Sequence, residues 1–116
     1  MSGNVVAEKS LEFAVRVVKL YQYLQRDKTE YVMSKQLLRS GTSIGANIWE
    51  GKEGYTKKEF AAKMGIALKE ASETEYWIEL LYRTKYLTKD QYESIRADCV
   101  ELLKLLTSII NTAKQS

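Results

Sequence analysis

The chain contains no histidine and no proline, and only one cysteine in 116 residues. Without histidine there is no Ser-His-Asp or Cys-His catalysis, and no Glu-x-x-His motif of the kind that holds di-iron in helical bundles. One cysteine without histidine also falls short of the Cys and His set that a structural zinc site uses. Cys99 has no internal disulfide partner, which points to a reducing compartment. It lies among Ile95, Leu102, Leu103 and Leu106 at helical spacing and is read as a small buried hydrophobe, not a reactive thiol. No apolar run approaches the ~20 residues that span a bilayer, so no membrane segment is expected. The opening MSGNVVAEKS has neither a basic start nor an apolar stretch, so no signal peptide is expected and the location is read as cytoplasmic. Neither G-x-x-x-x-G-K-[ST] nor G-x-G-x-x-G occurs, which removes the usual nucleotide cradles. No cofactor is implied. The missing proline suits a chain that is nearly all helix, because proline removes a backbone donor and clashes with the preceding turn.

What is present is helical periodicity in four successive stretches. The composition, 45% hydrophobic and 28% charged, is that of an ordinary globular chain, and its length fits one domain over 1–116. The stretches run over about 8–26, 29–50, 56–83 and 88–113, and short connections force neighbours to be antiparallel. The expected fold is therefore all-α, an antiparallel up-and-down four-helix bundle.

In the first stretch Leu11, Ala14, Val18 and Tyr21 form one apolar stripe and Phe13, Val17, Leu20 and Leu24 a second beside it. That arc is wider than one bundle seam needs, so a second buried contact, with another subunit, is expected. In the second stretch Gly41 and Gly45 each cost about 1 kcal/mol against alanine. They are read as marking a close helix crossing, and Gly51 and Gly54 as left-handed helix stops. Thr56 with Glu59, and Thr88 with Gln91, are capping boxes that start the third and fourth helices. Glu12–Arg16, Glu59–Lys63 and Glu79–Arg83 are i,i+4 pairs in the favourable order.

Three groups of residues carry possible chemistry. Gln36, Ser40, Ser43, Asn47 and Glu50 form a polar stripe on the second helix, and Glu70, Glu73 and Trp77 line up on the third. Such stripes are read as a hydrogen-bonded network that fixes register, with a ligand pocket as the alternative. Basic residues form two faces: Arg16, Lys19 and Arg26 around Tyr23, and Lys28, Lys35 and Arg39 around Tyr31. Basic side chains neutralise phosphates and aromatics stack on unpaired bases, so these faces are the candidate nucleic-acid contacts. The net charge of +3 permits such a partner without demanding it. The remaining enzyme reading is a Mg²⁺-dependent nucleotide phosphohydrolase built from Glu50, Glu53, Glu70 and Glu73, since hard Mg²⁺ prefers oxygen ligands. Against it, E-x-x-E pairs are common in helices and the two glycines disturb the first pair.

The segment 36–51, QLLRSGTSIGANIWEG, resembles the signature of the 23S ribosomal-RNA intervening-sequence proteins. Segments 57–60, KKEF, and 66–81, IALKEASETEYWIELL, look like the third helix of the same family. Nearly the whole chain is covered. Two positions depart from the pattern, which usually has proline where Gly45 stands and a small residue where Trp49 stands. The resemblance implies a non-enzymatic four-helix bundle, often a homopentamer, encoded within insertions in bacterial ribosomal-RNA genes. A related branch is the accessory variability determinant of diversity-generating retroelements, which binds a reverse transcriptase and nucleic acid through basic surfaces. The implied partners are thus further copies of the chain, RNA or another nucleic acid, and a protein. The family offers no catalytic residues to carry over.

Overall fold

A computed structural model describes residues 3–54 and 56–115. Its helices are α1 (Gly3–Arg26), α2 (Met33–Lys52), α3 (Lys57–Arg83) and α4 (Lys89–Gln115). Each packs on the next and α4 returns to α1, while neither diagonal pair approaches among the described residues. The result is an antiparallel up-and-down bundle of 46 × 20 × 18 Å.

The core repeats the helical period. Phe13, Val17 and Leu24 meet Leu37, Ile44, Ile48, Met64, Ile78, Leu81, Leu102 and Leu106, all buried. Each such side chain contributes roughly 1.5–3 kcal/mol by leaving water. Helix α1 begins five residues earlier than the expected start at residue 8. Val6 lies seven residues before Phe13, on the same helical face, and is fully buried; Ala7 is buried too, while Val5 points outward at 54% exposed.

Helix α2 departs from expectation at both ends. Thr29 takes a left-handed backbone, with φ 49°, and the helix starts at Met33 instead of residue 29. Glu30 supplies the cap: its carboxylate accepts from the backbone N–H groups of Val32 at 3.1 Å, Met33 at 3.0 Å and Ser34 at 2.7 Å. The Ser34 hydroxyl donates back to the Glu30 carbonyl at 2.8 Å. At the other end, none of the described glycines has positive φ, so Gly51 and Gly54 are not left-handed stops. Gly51 lies inside the helix, where a Cβ would stand 2.6 Å from Met64 Cε. Its role is close approach to α3.

Gly41 and Gly45 do mark a close crossing, against α1. A Cβ on Gly41 would sit 2.8 Å from Val17 Cγ1, and one on Gly45 3.2 Å from Ser10 Oγ. The two capping boxes form as read. Thr56 Oγ1 accepts from Glu59 N at 3.0 Å, with the reciprocal bond also 3.0 Å. Thr88 Oγ1 accepts from Gln91 N at 3.1 Å, with 2.9 Å in return. Between α3 and α4, Lys85 is left-handed at φ 71°. Tyr86 N bonds Leu81 O at 2.9 Å and Lys85 N bonds Tyr82 O at 3.0 Å, a Schellman closure made without glycine.

Candidate functional site

The polar stripe of α2 meets α3 in an ion-paired network. Arg39 donates to Glu70 at 3.2 Å, to Glu73, and through Nε to Gln36 at 3.5 Å. Trp77 Nε1 donates to Glu73 at 2.9 Å. The bonds from Arg39 and Trp77 hold Glu73 below the usual carboxylate range, and Glu73 raises Arg39 in return. Deeper in, the Thr74 hydroxyl donates to Ser40 Oγ at 2.9 Å, with both residues fully buried. Ser43 donates to Arg39 O at 2.6 Å and Asn47 to Ser43 O at 2.8 Å. Those two, like Gln36 with Arg39, therefore bond along their own helix, while Ser40 and Glu50 reach across to α3 through Thr74 and Lys63.

The four carboxylates of the Mg²⁺ reading are not gathered. Among the described residues no three acidic, cysteine or histidine side chains come together as a metal site. Glu50 pairs with Lys63 at 2.7 Å, Glu53 lies 3.8 Å from Lys52, and Glu70 and Glu73 share Arg39. A carboxylate already matched to a fixed cation is a poor ligand for a hard divalent ion. Such pairs set the register of α2 on α3.

The basic residues divide into tied and free. Arg16 crosses to α4, donating to Asp98 at 2.6 Å and Ser94 Oγ at 2.8 Å, where the sequence pairs it with Glu12. Lys63 reaches α2 where the sequence pairs it with Glu59, whereas Glu79–Arg83 forms at 2.8 Å. Arg39 is tied as above. Lys19, Arg26, Lys28 and Lys35 are exposed and enter no ion pair among the described residues. Between α1 and α4 a groove of about 370 Å³ is lined by Arg16, Lys19, Leu20, Tyr23, Gln91 and Ile95.

A third surface is apolar. Leu11, Val15 and Val18 are 44%, 48% and 38% exposed. Steps of four and three residues at ~100° each place them on one face of α1. Phe13, Val17 and Leu24 occupy the opposite, core face. Of the two stripes read in the sequence, only the second points inward. The outer face continues into a depression of about 220 Å³ lined by Leu11, Ala14, Thr42, Gly45, Ala46 and Trp49. Trp49 forms its wall: Nε1 donates to Ala7 O at 3.1 Å, and Lys52 Nζ lies 4.2 Å from the ring centroid. In the sequence Trp49 stands out only as a departure from a family pattern. Its place in this surface depends on the α1–α2 crossing.

Cys99 is buried. Burial, with Glu75 adding to it, pushes the thiol up to about 12, and Sγ lies 3.4 Å from the Ala71 carbonyl. No helix among the described residues is long and apolar enough to cross a membrane.

Comparison with known proteins follows the same outline. The family model described as 23S rRNA-intervening sequence protein matches residues 3–108. A solved structure of a protein of unknown function from Bacteroides thetaiotaomicron VPI-5482, assigned to the S23 ribosomal protein family, is 60% identical. It covers 96% of this chain and 99% of its own, with a TM-score of 0.93. No curated protein matches the chain.

Proposed function

The chain belongs to the 23S rRNA-intervening sequence protein family, and from that premise we propose that it works by self-assembly and RNA binding, without catalysis. The observation that carries the reading is α1, which presents apolar side chains on two opposite faces. One face completes the bundle core. The other leaves Leu11, Val15 and Val18 in water beside Trp49, in a contiguous patch of the kind that marks association sites. A stable contact buries roughly 800 Å² per partner. The seam of α1 with the α1–α2 depression supplies its apolar centre, and exposed polar residues around it supply a rim. A second copy of the chain is the occupant we assign, and the family resemblance suggests a closed ring of five. A protein partner on the same face is the competing occupant.

The acidic partner is RNA, taken by cations that the bundle leaves unpaired. The carboxylates that a hydrolase needs are instead matched to Lys63, Lys52 and Arg39. A buried, unreactive thiol suits a reducing compartment, and we place the assembly in the cytoplasm.

Analytical sedimentation tests the assembly. The wild-type chain at micromolar concentration should sediment as a multiple of 13.3 kDa, and L11E/V18E should sediment as the single chain with its helical signal intact. A monomeric wild type refutes the self-assembly reading. A gel-shift titration with structured RNA at low salt tests the second half, and absence of any shift refutes it.

A further inference from the structure

We infer that the end of the bundle where loop 27–32 lies beside loop 84–88 is a docking surface for an unpaired nucleic-acid strand. This rests on the RNA-binding reading above and specifies its site and ligand. The up-and-down topology places the end of α1, the start of α2, the end of α3 and the start of α4 together at this end. Segments 26–35 and 83–90 hold six basic residues, Arg26, Lys28, Lys35, Arg83, Lys85 and Lys89, against Asp27, Glu30 and Asp90. That excess of three equals the excess of the whole chain, 18 basic over 15 acidic.

One of the three acids is turned away from any ligand. Glu30 is buried, with its carboxylate directed at the first N–H groups of α2. Of the six cations only Arg83 has an ion pair among the described residues, with Glu79. Lys9, Arg16, Arg39, Lys63 and Arg96, along the body of the bundle, are instead each tied to a carboxylate of another helix. Cations without partners take up phosphate without first breaking a bond.

Two tyrosines decide between paired and unpaired strands. Tyr31 is 53% exposed within the loop that also bears Lys28. Tyr23 lines the α1–α4 groove with Lys19 and Gln91, in the last two turns of α1 and the first turns of α4. At about 370 Å³ the groove lies near the lower end of ligand pockets, roughly 300–1,000 Å³, room for one extruded base over Leu20 and Ile95. Aromatic faces and a base-sized groove are of use only to bases free of a duplex stack.

The test is fluorescence anisotropy on the full chain, using a dye-labelled single-stranded RNA longer than the ~4–16 nucleotides of a typical single-strand site. The duplex of the same sequence and phosphatidylserine vesicles serve as alternative ligands. The single strand should bind at least about tenfold tighter than the duplex. Reversal of the end, K28E/K85E/K89E, should abolish most binding. It should also flatten the plot of log K against log salt by about 2, since each phosphate contact on a single strand contributes ~0.7. Y31A should weaken binding by about tenfold and leave that slope unchanged. Both variants keep the outer face of α1 and should keep the wild-type sedimentation. Equal affinity for the duplex, or vesicle binding without strand binding, overturns the assignment of ligand. Wild-type RNA binding that the triple variant retains overturns the site but leaves the RNA-binding reading standing. No RNA binding by the wild type overturns both.

Discussion

Glu30 is one side chain that fixes both where α2 begins and how loop 27–32 leaves α1, so its replacement gives the sharpest test of the fold. Substitution by alanine leaves three backbone donors without their acceptor. Val32 is exposed and its N–H turns to water, Met33 is half-buried, and Ser34 is fully buried. Loss of a helix cap costs about 0.5–2 kcal/mol, and a buried orphaned donor about 1–3 kcal/mol. The expected loss for E30A is therefore about 3 kcal/mol, or roughly 12 °C in Tm at about 4 °C per kcal/mol for a chain of this size. E30Q keeps an acceptor oxygen but not the charge, and should lose about half as much. The pH dependence supplies a second reading. Burial disfavours the charged carboxylate, but the N–H groups of Met33, Ser34 and Val32 outweigh it and hold the pKa below its ordinary value. A lowered folded-state pKa means stability that is complete above the unfolded value, ~4.3, and is lost as pH falls through the folded one. The gap between wild type and E30Q should thus be widest near neutrality and narrow below about pH 4. Thermal and urea unfolding across pH measure it. A loss under about 1 kcal/mol in E30A, or a gap that widens in acid, refutes the capping argument.

Two glycines should respond with opposite sign. G41A drives a Cβ into the branched, buried Val17; overpacking of about 1–3 kcal/mol exceeds the ~1 kcal/mol gained in helix propensity, and V17A in the same chain should recover part of the loss. G65A meets nothing within 4 Å and should stabilise by up to about 1 kcal/mol; both are read by urea unfolding. T74V should cost about 1–2 kcal/mol by stranding Ser40 in the core, and the S40A/T74V double variant should cost clearly less than the two single changes added together, as a double-mutant cycle will show.

The helices were legible wherever the signal was periodic or local. The Thr56–Glu59 and Thr88–Gln91 boxes announce themselves by type and spacing, and Gly41 and Gly45 announce a close crossing because nothing else repays their cost. The start of α2 was not legible. Its left-handed turn uses Thr29 and its cap uses a glutamate three residues ahead of the first helical residue, whereas sequence rules look for glycine and for a short Ser, Thr, Asp or Asn. Lys85 hides the next turn in the same way. For the candidate surfaces, the sequence shows that α1 is too apolar for one seam but not which stripe faces out. That depends on Gly41 and Gly45 drawing α2 against Val17 and Ser10. Likewise, which cations stay free is set by partners far along the chain, such as Asp98 for Arg16 and Glu70 with Glu73 for Arg39. Helix-face spacing cannot report them, nor that loops 27–32 and 84–88 pool their charge.

The buried thiol makes the molecule its own gauge of transient opening. Burial pushes its pKa up to about 12, so the folded chain carries almost no Cys99 thiolate at pH 8, and that sulfur is buried in the core. A thiol reagent therefore reacts through the chains in which α4 has parted from α3, at a rate that follows the population of that open form when reclosing is fast. Because the chain has one cysteine, the signal has a single source. Reaction rates compared at low and high protein concentration would show whether neighbouring subunits hold the bundle shut, with no residue changed.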